Sequence, residues 1–428
     1  MAGTGRIRTL DSFSRSDLAV LAREYLLCGH LIDRAGMGYL IGPYGLEGMR
    51  DVAIDEWMGA SPVYTQRMQR LLGFAGDDVA TIFKGMQLDI GAPHEFLDFR
   101  YTVHDATHGE FHLDHCGALM DVEPMGDDFV VAMCHHIEDP TFDATACASN
   151  PRAQVRPVHR PPRSPADRHP HCAWTVEIPA DAPPWTEVAM TTRMRATQAA
   201  TLPLPEIGSW PGEDGHGRDD YAGEFVDRIA LEEFSKGALL AIIDELCLQE
   251  HLLSTSFMVA VEQRFGTEAA VEVGRHQFTG ISGVTSDRFR RALGLGREVA
   301  DVAQVLELHP ALRPRSYVDA RIALDGDRLT VSLHDSPALR EQGLESWIGL
   351  LADGHDVALD AMVHAVDPRA RFQVVDPLDG ARATWEVVIG PEPLREQPEV
   401  EVTRFSTGAD FTFEAPSEVH VELGSRPS

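Results

Sequence analysis

The sequence predicts an α+β fold written twice, a tandem duplication in which each unit opens with helices and closes with an antiparallel sheet. Three observations carry this expectation. First, Phe13-Ser14-Arg15 recurs as Phe234-Ser235-Lys236, and at the same spacing of 221 residues Glu24 falls on Glu245, His30 on His251, Gly59 on Gly280, Arg67 on Arg288 and Gly73 on Gly294. Second, with slips of one to a few residues the match runs on: Leu113 meets Leu333, Asp139 meets Asp356, Pro151-Arg152-Ala153 meets Pro368-Arg369-Ala370, and Trp174 meets Trp385. Third, helical periodicity at the head of each copy gives way to period-two alternation further on. So long a period marks a doubled domain rather than a solenoid. The expected boundaries are a first unit at 13–204, a linker at 205–233, a second unit at 234–413 and a tail at 414–428.

The elements follow in order. Leu18, Leu21, Ala22, Tyr25 and Leu26 recur at helical spacing, as do Leu239, Ile242, Ile243 and Leu246. A second helix is expected from about Asp51 to Leu72, ending at Gly73 where a C-cap glycine belongs. A third is expected from about Asp77 to Leu88. His104, His108, His112 and His115 would make a metal comb if helical. However, the second copy reads Arg321-Ile322-Ala323-Leu324, Asp325-Gly326, Leu329-Thr330-Val331-Ser332-Leu333, which is a strand, a hairpin turn and a strand. The hairpin is therefore preferred, with His104 and His108 flanking its turn. A helix from Asp127 to His136, a break at Asp139-Pro140 and a short helix to Ala148 come next. Strands near Ala153–His159 and His171–Ile178 close the unit, separated by a proline-rich loop. The stretch from Pro179 to Arg228, rich in Pro, Gly and acidic residues, leads into the second copy, and Gly212 to Gly217 reads as a loop tip.

Composition narrows the function classes. A net charge of −30 argues against nucleic acid or an anionic membrane as partner, because both require a cationic face. No apolar run approaches a membrane span and the first residues lack the apolar core of a signal peptide, so a cytoplasmic location is expected. Six cysteines without secretory signals read as reduced thiols. Cys28, Cys147 and Cys247 sit among apolar or small neighbours and read as core.

Chemistry gathers in the first copy. Ten of the 19 histidines lie between His94 and His171, and Cys116, Cys134 and Cys172 each adjoin a histidine. On the strand Gly109–His115 the repeat pattern puts Phe111, Leu113 and His115 toward the core and Glu110, His112 and Asp114 outward. Cys172, Trp174 and Val176 share the core face of the last strand. His135 and Asp139, four apart, lie on one helical face with Cys134 close by. Imidazole and thiolate together suit zinc or iron, with one position left for water. His115, Cys134, His135 and Cys172 are thus the candidate ligands of a divalent metal, and Asp139 or Glu24 the candidate proton carrier. Asp139 before Pro140 also has a structural reading, as a helix N-cap. The second copy has Leu351, Ala352 and Ala383 where the first has Cys134, His135 and Cys172, so it could not bind the same ion. Glu24/Glu245, His30/His251 and Arg67/Arg288 persist in both copies and fit the architecture, such as a buried pair between opening helices.

Between about residues 95 and 180 the chain resembles the L-2-amino-thiazoline-4-carboxylic acid hydrolase family. The likeness rests on the strand pair from Phe99 to Leu113, Cys134 on a helix followed by Asp139 and Asp143, the Asn150-Pro151 turn, and Cys172-Ala173-Trp174. The resemblance implies a hydrolase of small ring or amide-like substrates with Cys134, Asp139 and Cys172 at the matching positions. The abundant histidines, the proline loop and the second copy lie outside it. The expected function is a metal-dependent hydrolase of a small organic substrate, a cyclic amide, amidine or similar C–N bond, in a pseudo-dimeric chain that may itself pair as a homodimer. The alternatives are a non-catalytic small-molecule or metal-binding sensor or scaffold, and a thiol enzyme without metal.

Overall fold

A computed structural model describes residues 7–210, 212, 217–341 and 346–414. Most of the Gly212–Gly217 loop tip and nearly all of the tail expected at 414–428 lie outside them.

The first unit opens with α1 (Arg15–Leu71), capped by a Ser14/Asp17 capping box. This element is two helices in one run, divided at Gly45, whose φ of 70° and ψ of 177° are not helical. The second unit repeats the device. Its α8 (Lys236–Phe265) and α9 (Thr267–Ala292) meet at Gly266, with φ 91° and ψ 167°, and Gly45 and Gly266 are partners at the spacing of the repeat. Such a conformation is essentially reserved for glycine, so Gly266→Ala is expected to lower stability by about 1–3 kcal/mol. A denaturant titration showing no loss would mean that the junction relaxes freely.

Each unit then builds a four-stranded antiparallel sheet. In the first, after α2 (Val79–Met86), the strands are β1 (Leu97–Val103), β2 (His108–Cys116), β3 (Gln154–His159) and β4 (Cys172–Glu177), in the order β1-β2-β4-β3. The second sheet has the same order, with β5 (Ala320–Asp325), β6 (Arg328–His334), β7 (Ala370–Val375) and β8 (Ala381–Ile389) in place of β1 to β4. The α+β duplication and the hairpin, not the histidine comb, are what the structure shows. Asp143 and Asp360 repeat one structural role: each carboxylate accepts from the backbone N–H of the strand beside it, that of Val155 at 2.8 Å and that of Phe372 at 2.6 Å.

The helical heads of the two units pack together through a reciprocal pair of ion pairs. Arg67 of the first unit forks onto Glu245 of the second at 2.6 and 2.8 Å, and Arg288 of the second forks onto Glu24 of the first at 2.8 and 3.1 Å. The spare Nη1 of Arg67 donates to the carbonyls of Ala200 and Leu202, and that of Arg288 to those of Gly408, Ala409 and Phe411. Residue i touching j while the counterpart of j touches the counterpart of i is the signature of an isologous dimer contact, retained here inside one chain. Glu24 is therefore an architectural anion between the units and is not free to carry protons for a reaction.

Three sequence-based expectations change. The helix does not break at Asp139-Pro140. Instead α4 (Asp127–Val131) passes through a π-helical turn, Ala132–Ile137, into α5 (Glu138–Cys147). The widened turn accommodates Pro140, which has no N–H to give and would crowd the carbonyl one turn back. Asp139 is thus inside a helix rather than its cap. His115 does not point to the core: a bulge between Leu97 and Phe99 shifts the register, so that Leu97 pairs with Cys116 while Phe99 pairs with Leu113. The extra residue turns Cys116 inward and leaves His115 half-buried. The stretch from Pro179 to Arg228 also holds structure of its own, α6 (Ala189–Arg195) and α7 (Gln198–Thr201). Among the described residues no helix is long and apolar enough to cross a membrane.

Candidate functional site

A cavity of about 630 Å³ lies in the first unit between both halves of α1, the end of α2, the inner face of the sheet and the α4–α5 segment. That is an ordinary size for a small-molecule site. Most of its wall is apolar, with Trp57, Phe99, Phe129 and Phe142 among the lining side chains. Its ionisable lining groups include His30, Asp33, Asp89 and Glu138.

His30, on α1, reaches the cavity with neither ring nitrogen hydrogen-bonded, and burial pushes its pKa down to about 3, so the ring is neutral. Asp33, one helical turn on, accepts from Trp57 Nε1 at 2.9 Å and lies against Glu56, which burial and the Asp33 charge hold protonated well above the usual carboxylate range. Asp89, in the turn after α2, accepts from Tyr64 Oη at 2.9 Å and from the Gly91 N–H at 2.7 Å. Burial raises it to about 6 against those two bonds. Glu138, the first residue after the π-helical turn, lines the cavity with one carboxyl oxygen unpartnered. Burial lifts it to about 8, opposed by the Arg160 charge. Near pH 7 Asp89 is therefore largely ionised and Glu138 largely protonated, in a cavity that Asp33 and Asp121 also line. Environments that push two carboxyl groups apart in this way assign a base and an acid.

The sequence-selected residues fare unequally. Cys172 lines the cavity and Cys134 is buried close by, within the electrostatic reach of Glu138, Cys116 and Cys172. Burial pushes the Cys116 thiol up to about 12 and those of Cys134 and Cys172 well above their ordinary value, so none is a thiolate at neutral pH. His135 is turned to the proline loop, where Nε2 meets the Pro161 carbonyl at 2.7 Å. His115 stands beside His171 and Phe411. Asp139 points to the surface, paired with Arg160, its side chain 46 % exposed. His115, Cys134, His135 and Cys172 thus do not gather as one ligand set, because the bulge and the π-helical turn each rotate a histidine away. The same added residue that carries Asp139 outward brings Glu138 in. Asp89 and Glu138 escape a sequence search because neither belongs to a spacing motif; the second unit has Pro310 and His355 in their places, and that contrast is the available signal.

The second unit supplies part of the wall. Its last helix, α13 (Pro398–Thr403), brings Val402, Phe405, Ser406 and Thr407 to the cavity of the first. Asp121 holds this segment, accepting from Ser406 Oγ at 2.6 Å and from the Thr407 N–H and Oγ1 at 2.7 Å each, with Arg34 at 3.2 Å. The repeat makes the same latch in reverse: Glu341 accepts from the backbone N–H groups of Gln198 and Ala199, both at 3.0 Å. Asp121→Ala is expected to lower stability by about 1–3 kcal/mol and to raise protease cleavage near Phe405. Unchanged cleavage would show that the latch does not hold the segment.

At the equivalent place the second unit carries a tryptophan, Trp347. Trp347 stacks on Phe278 at 5.1 Å, meets the edge of His251 and reaches Gln277 with Nε1 at 3.4 Å. Those three are the counterparts of Trp57, His30 and Glu56, and where Trp347 stands the first unit has only Val130. No family model matches the chain, and neither a curated protein nor a solved structure does.

Proposed function

We propose that the chain is a hydrolase of a small, largely apolar organic molecule with a C–N bond to break, working in the cavity of the first unit. The observation that carries this reading is that Asp89 and Glu138 line one cavity, the first largely ionised and the second largely protonated at neutral pH, where the second unit has Pro310 and His355. Asp89 would draw a proton from an attacking water, and Glu138 would hand its proton to the departing nitrogen. His30, neutral and with both nitrogens unengaged, would orient the water or the carbonyl without taking charge. The apolar wall and the segment from the second unit would keep bulk water from the bound molecule. The resemblance to the aminothiazoline carboxylate hydrolases supports the same reaction class. Metal assistance through His115, Cys134, His135 and Cys172 loses support from their separation, and thiol catalysis from their protonated state.

Thermal-shift screening of lactams, cyclic amidines and linear amides, followed by product analysis of every stabilising compound, tests this. A compound that both stabilises the protein and is cleaved is the expected outcome. Compounds that bind in the chamber and are all recovered intact would favour a sensor or carrier and overturn the hydrolase reading.

A further inference from the structure

The outward face of β2 carries chemistry that the cavity does not use. Alternation along the strand sets His108, Glu110, His112 and Asp114 on one face, while Gly109, Phe111 and Leu113 are buried on the other. At the turn, His104 leaves β1 beside His108, and the backbone N–H groups of His104 and Asp105 both donate to the His108 carbonyl at 3.1 Å. The two imidazole rings stand 4.7 Å apart, and His104 Nε2 is 3.4 Å from Glu110 Oε1. One donor atom from each of these three side chains lies within 4.8 Å of the other two, and among the described residues no other set of three His, Cys or carboxylate side chains does the same.

We infer that His104, His108 and Glu110 form a surface site for a borderline divalent transition ion, zinc, cobalt or nickel, with water completing its coordination. Two imidazoles and one carboxylate suit such ions, whereas calcium and magnesium require all-oxygen surroundings. The backbone that carries the donors is ordered before any ion arrives, because Val103 pairs with Gly109 and Thr102 with Glu110 across the ladder. An ion would therefore have little chain to fix on binding. The second unit has lost the feature at the same positions. Its hairpin puts Asp325, Arg328 and Thr330 where the first has His104, His108 and Glu110, and the arginine would repel an ion. The two units therefore diverged on this face as well as in the cavity, and the site lies on the side of the sheet away from Leu113 and Cys172, which line the chamber.

The test titrates zinc alone into the intact chain against a chromophoric chelator and follows the thermal midpoint. Wild type is expected to take up one equivalent and to melt higher when loaded. Uptake and the thermal gain should both vanish in His104→Ala/His108→Ala, and affinity should fall at least about tenfold in Glu110→Gln, the loss typical even of an outer-sphere partner. His112→Ala/His159→Ala, which removes neighbouring histidines of the same sheet, should bind as wild type does. None of these positions is in the core, His104 and Glu110 being exposed and His108, His112 and His159 half-buried, so every variant should fold. Undiminished uptake by His104→Ala/His108→Ala, loss of uptake in His112→Ala/His159→Ala, or preference for calcium over zinc would each overturn the assignment.

Discussion

Glu138→Gln is expected to lower kcat by about 10²–10⁴-fold while leaving the binding of a cavity ligand nearly intact. The amide keeps the shape of the carboxyl group and its place at the α4–α5 junction but has no proton to release. The pH profile separates this from a packing effect. Glu138 is raised to about 8, so its acid form is complete below that value and is lost as pH rises through it. Asp89 is raised to about 6, so its basic form is complete above that value and is lost as pH falls through it. Turnover should follow a bell with limbs near 6 and 8 and a maximum near 7. The alkaline limb should disappear from the residual activity of Glu138→Gln, and the acidic limb from that of Asp89→Asn. A flat profile across this range, or wild-type kcat in Glu138→Gln, would remove these two residues from the chemistry. Asp139→Asn supplies the contrast, since a surface partner of Arg160 should change kcat little.

Arg67→Ala is expected to destabilise the folded chain by about 3–5 kcal/mol, because it leaves Glu245 charged and buried with no counter-ion. Both side chains are almost sealed from water, at 2 % and 1 % exposure. The loss should be transmitted to the Ala200–Leu202 segment, whose carbonyls the same guanidinium binds. Arg288→Ala should act alike through Glu24 and the Gly408–Phe411 segment, which follows directly on the cavity-lining Ser406 and Thr407. That second variant should therefore also weaken ligand binding, whereas Arg67→Ala should not. Equilibrium unfolding in urea reads the first effect. A loss below about 1 kcal/mol for either arginine would mean that the pair is hydrated or dispensable, since about 0–1 kcal/mol is the range of exposed ion pairs. Replacing Arg67 and Glu245 together by apolar residues of similar volume should restore much of the stability.

The duplication was open to sequence reasoning because its signal is periodic and redundant. Phe13 with Phe234, Glu24 with Glu245 and Arg67 with Arg288 keep one register, and the clear hairpin of the second unit resolves the ambiguous histidines of the first. The alternation of Phe111 and Leu113, or of Cys172, Trp174 and Val176, likewise follows from a period of two. The site was legible only as a region: the segment from Cys116 to Cys172 does border the chamber, but the residues chosen from it were largely its neighbours. Asp139 and His115 each stand one position from the side chain that faces the chamber, Glu138 and Cys116.

Those misses share a cause. Which way a side chain points is additive along a chain, so a single inserted residue, in a π-helical turn or a β-bulge, rotates everything after it. Nothing local in the sequence announces the insertion. By itself the sequence determined two related α+β units, the order of their elements and the replacement of Cys134, His135 and Cys172 by Leu351, Ala352 and Ala383 in the second. Tertiary structure alone decided that the two arginine–glutamate pairs cross between the units, that the second unit lines part of the cavity of the first, and that Asp89 and Glu138 share a chamber. These are contacts between residues far apart in the chain, and the burial that sets the protonation of both carboxyl groups exists only once the chain has folded around them.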